Sequence, residues 1–284
     1  MKTGKFIAKP WKEYELLDCG NGRKLERFKQ VVLDRPEVNA ENSPKWNSSK
    51  WRELTHAKFN QTSANSGNWS CALKDWQVEY QSGFNLTVNL GLAKFKHVGV
   101  FPEQSYNWEY VFNALQRKTN AKALNLFAYT GAASVVAKAA GADITHVEAL
   151  SQLITKAKEN MISSGLQNIR WLKEDALKFA LKEAKRQRKY DLVIMDPPTW
   201  GRGPKGEVWK LDKHLPELVN AVGQILNPEA YLVVNTYSGV PPRNLAFKLQ
   251  EHIRFSELEA GQLVLQATSG AEFVTGSLVR GKVK

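Results

Sequence analysis

The feature that most constrains this chain is an alternation of strand and helix patterns that starts near residue 123. Residues 123–128 (ALNLFA), 144–148 (ITHVE), 169–172, 191–195 (DLVIM) and 231–235 (YLVVN) are short apolar runs of strand length. Helical patterns fill the intervals over 131–140, 151–164, 176–187 and 215–226. Gly141 and Gly165 follow two of them as stop signals. Ser151 is expected as the N-cap of the second, with Leu153, Ile154, Ala157 and Met161 on one face. Strands that are apolar throughout are covered on both sides, and their alternation with amphipathic helices specifies a parallel sheet between helical layers. Residues 262–266 and 276–280 read as a terminal antiparallel pair. The expected fold is therefore α/β, with a Rossmann-like, mostly parallel seven-stranded sheet.

The first hundred residues have a different texture. They hold Trp11, Trp46, Trp51, Trp69 and Trp76 among many Asn and Ser residues. Residues 14–19 predict a strand, and Gly20-Asn21-Gly22 is turn chemistry, because Gly and Asn tolerate positive φ. Residues 25–33 fit a returning strand or a short helix, stopped by Pro36. Residues 39–68 read as loop-rich. Alternation over 76–80 and 84–90, joined through Ser82-Gly83, predicts a hairpin. Residues 104–116 have helical spacing at Trp108, Val111, Phe112 and Leu115. The chain thus divides into a small β-rich module, 1–95, and a larger domain, 96–284.

Composition narrows the function classes. The 284 residues carry 40 Lys and Arg against 28 Asp and Glu, a net +12, which favours polyanionic partners and nucleic acid first. With 43% hydrophobic and 24% charged residues, the chain has enough apolar surface to fold, which excludes disorder as its main state. The longest weakly polar stretch, 123–142, is interrupted by Asn125, Tyr129, Thr130 and Lys138, so no membrane span is expected. The N-terminus lacks the apolar region of a signal peptide. Cys19 and Cys71 are the two cysteines, too few for a disulfide framework or a cysteine-based metal site. A reducing cytoplasm and no metal are expected.

Ligands of open parallel sheets bind at the carboxyl ends of the strands. Ala128-Tyr129-Thr130-Gly131 follows the first strand and contains one glycine. It is neither a dinucleotide fingerprint nor a phosphate loop. The next strands end in Glu148, in Glu174-Asp175 and in Asp196-Pro197-Pro198. A carboxylate placed like Glu148 can accept both ribose hydroxyls, and one placed like Asp175 can accept from an adenine amino group. Taken singly, each acid is equally well read as a helix cap or a first-turn acid. Taken in order, they suit an adenosine-like ligand without phosphates, and S-adenosyl-L-methionine fits.

The blocks LNLFAYTGAAS (124–134), THVEAL (145–150), KENMISSGL (158–166), EDALKF (174–179) and YDLVIMDPPTWGRGPKGEVW (190–209) resemble a class I S-adenosylmethionine-dependent methyltransferase. HVGVFPEQSYNWEYV (97–111) and, more weakly, DCGNGRKLERF (18–28) extend the resemblance. More narrowly, the chain is similar to the bacterial group related to large-subunit ribosomal RNA cytosine methyltransferases. The resemblance implies that Tyr129, Thr130 and Gly131 hold the methionine portion of the cofactor. It implies that Glu148 binds the ribose and Asp175 lies beside the adenine amino group. Asp196, Pro197 and Pro198 would stand between cofactor and target base, and Phe101 and Gln104 would close over the cofactor. In related proteins the last segment tends to end Asp-Gln-Arg, whereas here it reads Glu103-Gln104-Ser105. The implied partner is RNA, either ribosomal RNA or a ribosomal particle.

One departure bears on the chemistry. In this group a cysteine thiolate that follows the strand matching YLVVN activates the cytosine carbon. Here that place reads Thr236-Tyr237-Ser238, and both cysteines lie upstream of every cofactor block. The expectation is methylation of a base nitrogen, with the Asp-Pro-Pro motif accepting a hydrogen bond from the target and Trp200 stacking on the base. Tyr237 is a further pocket candidate. Residues 201–206, with three glycines and Pro204, are expected to lack regular structure, and Arg202 and Lys205 to meet RNA phosphates. Two alternatives stand beside this: a methyltransferase acting on a small molecule or protein, and a catalytically silent cofactor-binding protein that interacts with RNA.

Overall fold

The structure is a computed structural model and describes the whole chain except Lys9, Ala64, Asn65, Pro204, Lys205 and Ser238. From the N-terminus, β1 (Lys2–Ala8) is followed by β2 (Tyr14–Gly20), β3 (Arg23–Phe28), β4 (Val31–Pro36), α1 (Ser48–Leu54), β5 (Ala57–Ser63), β6 (Ser66–Trp69), β7 (Trp76–Gln81) and β8 (Asn85–Leu90). A 3-10 turn, Pro102–Gln104, leads into α2 (Ser105–Leu115). The alternating region then builds β9 (Lys122–Leu126), α3 (Ala132–Ala139), β10 (Asp143–Glu148), α4 (Ser151–Ser163), β11 (Arg170–Lys173), α5 (Ala176–Lys185) and β12 (Tyr190–Met195). It continues with β13 (Trp200–Arg202), β14 (Val208–Lys210), α6 (Leu211–Ile225), β15 (Leu226–Thr236), α7 (Pro242–Gln250), β16 (Phe255–Gln266) and β17 (Glu272–Val283).

Two compact units result. One comprises Met1–Phe6, Asn107–Gln262 and Gly276–Lys284, and the other Ile7–Tyr106 and Leu263–Thr275. The larger unit is built on a sheet of order β1-β16-β17-β15-β12-β9-β10-β11. Its β11, β10, β9, β12 and β15 are parallel, and β17 runs antiparallel to β15. The sheet has eight strands rather than the expected seven, because Lys2–Ala8 joins its edge beside β16. Alternation explains the layers. Leu124, Leu126, Val193, Met195, Leu232 and Val234 face a core shared with α5, α6 and α7. Asn125 and His146 point the other way, where both meet Ser134 of α3. Among the described residues no helix is long and apolar enough to cross a membrane.

The smaller unit contains the sheet β2-β3-β4-β5-β6 and the hairpin β7-β8. Asn21 and Gly22, both at positive φ, make the two-residue turn between β2 and β3. Residues 25–33 resolve into two strands that turn at Lys29-Gln30, with Lys29 at φ 58°. Residues 39–68 are more ordered than their composition suggested. Asn47 caps α1 by accepting from the Lys50 N–H, and Trp51 packs that short helix onto Leu17, Leu25 and Val32. Tertiary packing thus orders a helix too short to stand alone. The basic residues are unevenly shared: the larger unit carries 26 Lys and Arg against 16 Asp and Glu, the smaller 14 against 12.

Candidate active site

Parallel register brings the expected strand ends to one edge of the large sheet. Leu126 is level with Val147 and with Met195, and Glu148 is level with Lys173. Phe127, Glu148, Glu174 and Asp196 therefore leave the sheet side by side. The first loop is tightly turned: Phe127, Tyr129 and Gly131 have φ of 56°, 51° and 81°. Two non-glycine residues in this region are costly and persist only where surroundings enforce them.

Those surroundings are polar and buried. The Tyr129 N–H donates to Glu148 Oε2 (2.9 Å) and the Leu150 N–H to Glu148 Oε1 (3.1 Å). Burial pushes the Glu148 carboxyl above the ordinary range, and the backbone N–H groups of Leu150, Tyr129 and Ala149 oppose that shift. Asn160 of α4, fully buried, donates to the Thr130 carbonyl at 2.8 Å. Gly131 is required twice, by its φ and by space, since a Cβ there would stand 2.8 Å from Ala157 Cβ. Beneath the loop, Asn125 Nδ2 donates to Ser134 Oγ (2.9 Å), which is 3.0 Å from His146 Nδ1. Burial lowers the His146 pKa to about 3, so its ring is neutral at neutral pH.

The remaining strand ends differ in character. Asp175 caps α5, its Oδ1 accepting from the Lys178 N–H at 2.9 Å, which leaves Oδ2 for another donor. Ser151 does not cap α4; Leu150 holds that position, its apolar side chain makes no cap bond, and its N–H donates to the Glu148 carboxylate. After Asp196, Pro197 is buried and Pro198 exposed. Trp209, buried, donates from Nε1 to the Pro198 carbonyl at 2.7 Å and packs on Phe127 with ring centroids 4.9 Å apart. It thereby ties the fourth loop to the first.

The segment expected to be irregular begins as a strand. Trp200–Arg202 pairs with Val208–Lys210, and the Gly203 N–H closes the turn onto the Glu207 carbonyl at 2.8 Å. Trp200 is 48% exposed, with the Arg202 guanidinium 5.7 Å from its ring centroid. Lys205 lies outside the described residues, as does Ser238. Thr236 is buried at the end of β15, and Tyr237 follows it half-buried. Phe101 and Gln104 belong to the smaller unit, where Phe101 precedes the 3-10 turn. Asn160 and Trp209 were not singled out from sequence. The signal for Asn160 was a polar residue on the apolar stripe of Ile154, Ala157 and Met161.

A family model described as S-adenosylmethionine-dependent methyltransferase matches residues 21–238. The chain belongs to this family. The crystal structure of the SAM-dependent methyltransferase from Agrobacterium tumefaciens is 35% identical, with a TM-score of 0.91 over 100% of this chain and 95% of that one. The ribosomal RNA large subunit methyltransferase K/L of Shewanella frigidimarina is 30% identical over 159 residues, 55% of this chain and 21% of that protein. Its counterpart from Magnetococcus marinus is 26% identical over 198 residues, 68% of this chain and 26% of that protein. The chain therefore spans about a fifth to a quarter of the length of these curated relatives.

The residues at this sheet edge suit the cofactor for which the family is named. Gly131 lets the first loop pack directly on Ala157 of α4, which holds the turn at the strand ends. A buried carboxylate, Glu148, keeps a lone pair beyond the backbone N–H groups of Tyr129, Ala149 and Leu150 that it already meets. No pyrophosphate-binding glycine loop accompanies them.

Proposed function

We propose that this methyltransferase modifies a ring or exocyclic nitrogen of a base in structured RNA, ribosomal RNA or a ribosomal particle, in the cytoplasm. The observation that carries the nitrogen acceptor is the state of the two cysteines. Cys19 is buried and its thiol is pushed up to about 11, chiefly by desolvation, so it is no thiolate at neutral pH. Cys71 is exposed and, like Cys19, lies in the smaller unit, far in sequence from the Thr236-Tyr237 position where a carbon-methylating relative would need its nucleophile. A nitrogen lone pair needs no covalent activation. Support for RNA comes from the excess of basic residues in the larger unit and from relatives named for ribosomal RNA.

In this reading the segment 96–284 carries the transfer machinery. Tyr129, Thr130 and Gly131 bind the methionine portion, Glu148 accepts the ribose hydroxyls, and the Asp175 Oδ2 accepts from the adenine amino group. Phe101 and Gln104 close over the cofactor. The bound cofactor supplies a methyl group on a sulfonium, a leaving group that needs no acid catalyst. Asp196 accepts a hydrogen bond from the target nitrogen and aims its lone pair, while Pro197 and Pro198 fix the backbone by their locked φ. Trp200 stacks on the base, and Arg202 with Lys205 meets phosphate. The chain's contribution is alignment in a water-poor site, an effect of about 7–11 kcal/mol in well-oriented systems.

The test is transfer of labelled methyl from S-adenosylmethionine to RNA taken from a strain that lacks this gene, followed by nucleoside analysis. The expected product is a base methylated on nitrogen. Formation of 5-methylcytosine would overturn the acceptor, and label appearing only in protein or small molecules would overturn RNA.

A further inference from the structure

The smaller unit contains a cavity of about 520 Å³, lined among others by Arg23, Trp46, Asn47, Trp51, Arg52 and Lys58. We propose that it is a second RNA site, holding one unpaired nucleotide with its base on Trp46 and its phosphate at Arg52 and Lys58. The proposal rests on the RNA reading above and adds to it a subsite on residues that carry no methyl-transfer chemistry.

Three features favour this ligand. The first is charge: Arg23, Arg52 and Lys58 face one carboxylate, Asp34. Asp34 is already engaged by Arg23 Nε at 2.5 Å, with Lys58 Nζ 3.8 Å away. Arg23 is pinned, since its Nη2 donates to the carbonyls of Asp34 and Phe59, each at 3.1 Å. Among the described residues its Nη1 meets no acceptor, so that amino group remains for a ligand. Arg52 and Lys58 are exposed.

The second feature is an aromatic plane beside a cation. Lys50 Nζ lies over the Trp46 ring, 3.4 Å from its centroid, so a base stacks there by displacing this ammonium, which is then left beside the phosphate. A nucleotide is the ligand that uses both, stacking its base and pairing its phosphate. Asn47 adds base-edge chemistry: its Oδ1 is taken by the Lys50 N–H, which leaves the Nδ2 donor. An acidic peptide satisfies the cations but has no ring for Trp46. The volume falls in the small-ligand range and is too confined for a duplex.

The third is that the wall is already in place. Asp18, fully buried, accepts from the Trp46 N–H (2.8 Å), the Lys45 N–H (3.2 Å), Trp51 Nε1 (2.8 Å) and Ser269 Oγ (2.7 Å). These bonds fix the segment that bears Trp46 before any ligand arrives, which lowers the ordering cost of binding.

The experiment uses the full chain and a fluorescein-labelled single-stranded RNA of about eight nucleotides, within the usual single-strand site size, with anisotropy read across a salt series. Arg52→Ala with Lys58→Ala is expected to reduce the salt slope by about 1.4, the loss of two single-strand phosphate contacts. Trp46→Ala is expected to weaken binding roughly 5- to 150-fold, the range for one stacked base, with Trp46→Phe restoring most of it. Calorimetric binding of S-adenosylhomocysteine should stay at the wild-type value in every variant, which shows that the larger unit has folded, and the urea unfolding curve should match wild type, which shows that the smaller one has. If wild type binds the RNA and the variants match it, this site is overturned while the RNA reading stands. If polyglutamate competes as well as RNA and Trp46→Ala is without effect, the cavity is only a polyanion patch, which also overturns it. If wild type binds no RNA, both readings fall.

Discussion

Each unit holds one buried polar cluster beside its main sheet, and the two clusters differ in charge. In the smaller unit the hidden groups are ions. Glu26 is fully buried and is met by Arg35 through Nε at 2.9 Å and also through Nη2, by the Tyr14 hydroxyl at 3.0 Å and by Lys24 Nζ at 3.4 Å. In the larger unit the set beneath the first cofactor loop is neutral, Asn125, Ser134, His146 and Asn160, although Glu148, Glu183 and Arg280 are buried elsewhere in that unit. The ionic cluster answers both carboxylate oxygens from within the chain. Among the described residues the larger unit leaves His146 Nε2, both amide atoms of Asn235 and Thr236 Oγ1 buried without a partner, whereas the smaller unit leaves Trp76 Nε1. Asn235 and Thr236 end β15, at the carboxyl edge where the cofactor loops gather. A closed ion cluster fixes a scaffold, while open polar valences at a strand end mark a site completed by water or ligand.

The sharpest way to break this contrast is to remove one ion. Arg35→Met would leave Glu26 buried without its main counter-charge, and unfolding in urea should show a loss of about 3–5 kcal/mol. Burial opposes the charge on Glu26, and Arg35 and Lys24 together hold its carboxyl below the ordinary range. Glu26→Gln combined with Arg35→Met should recover most of the loss, because the cost lies in the unpaired charge. A loss below about 1 kcal/mol for Arg35→Met would place the cluster with weak surface pairs instead.

Some of this contrast was legible in the sequence and some was not. The parallel sheet was, because each of its strands is an apolar run bounded by a helix pattern, and period alone separates the two. So was the placement of Glu148 and Asp196, since ligand sites follow strand ends. Gly131 was legible as a close-approach position. The role of Asn160 was not, because its partner, the Thr130 carbonyl, lies 30 residues away. Trp209 was hidden for a similar reason: its bond to Pro198 depends on a hairpin whose composition argued against regular structure. The eighth strand was missed because Lys2–Ala8 is exposed over its first four residues and gives no core-facing alternation there. Sequence pattern reports burial of apolar faces well, and it reports poorly on edge strands and on polar groups satisfied at a distance.

A second test compares the units through acid. His146 has a folded pKa of about 3 against an ordinary 6.5, and burial is the cause. The unfolded chain takes up a proton below pH 6.5 while the folded chain does not. Its contribution is therefore whole above that pH and is lost progressively as pH falls toward 3. Between pH 7 and pH 5 this one ring should remove about 2 kcal/mol of unfolding free energy. His146→Asn keeps a polar group for Ser134 and lacks the titration, so its stability should fall by about 2 kcal/mol less over that interval. Parallel pH curves for wild type and variant would show that the ring is reached by water in the folded state.

The smallest expected effect on stability is the most informative about the site. Trp209→Phe keeps an aromatic ring against Phe127 and removes only the N–H that donates to the Pro198 carbonyl. The stability cost should be about 1 kcal/mol, the net worth of one such bond. If Trp209 positions the Asp196-Pro197-Pro198 loop for transfer, kcat should fall several-fold while S-adenosylhomocysteine affinity holds, because cofactor contacts sit mainly on the first three strand ends. If kcat is unchanged at the same small stability loss, Trp209 belongs with the scaffold, and the fourth loop is held by its prolines alone.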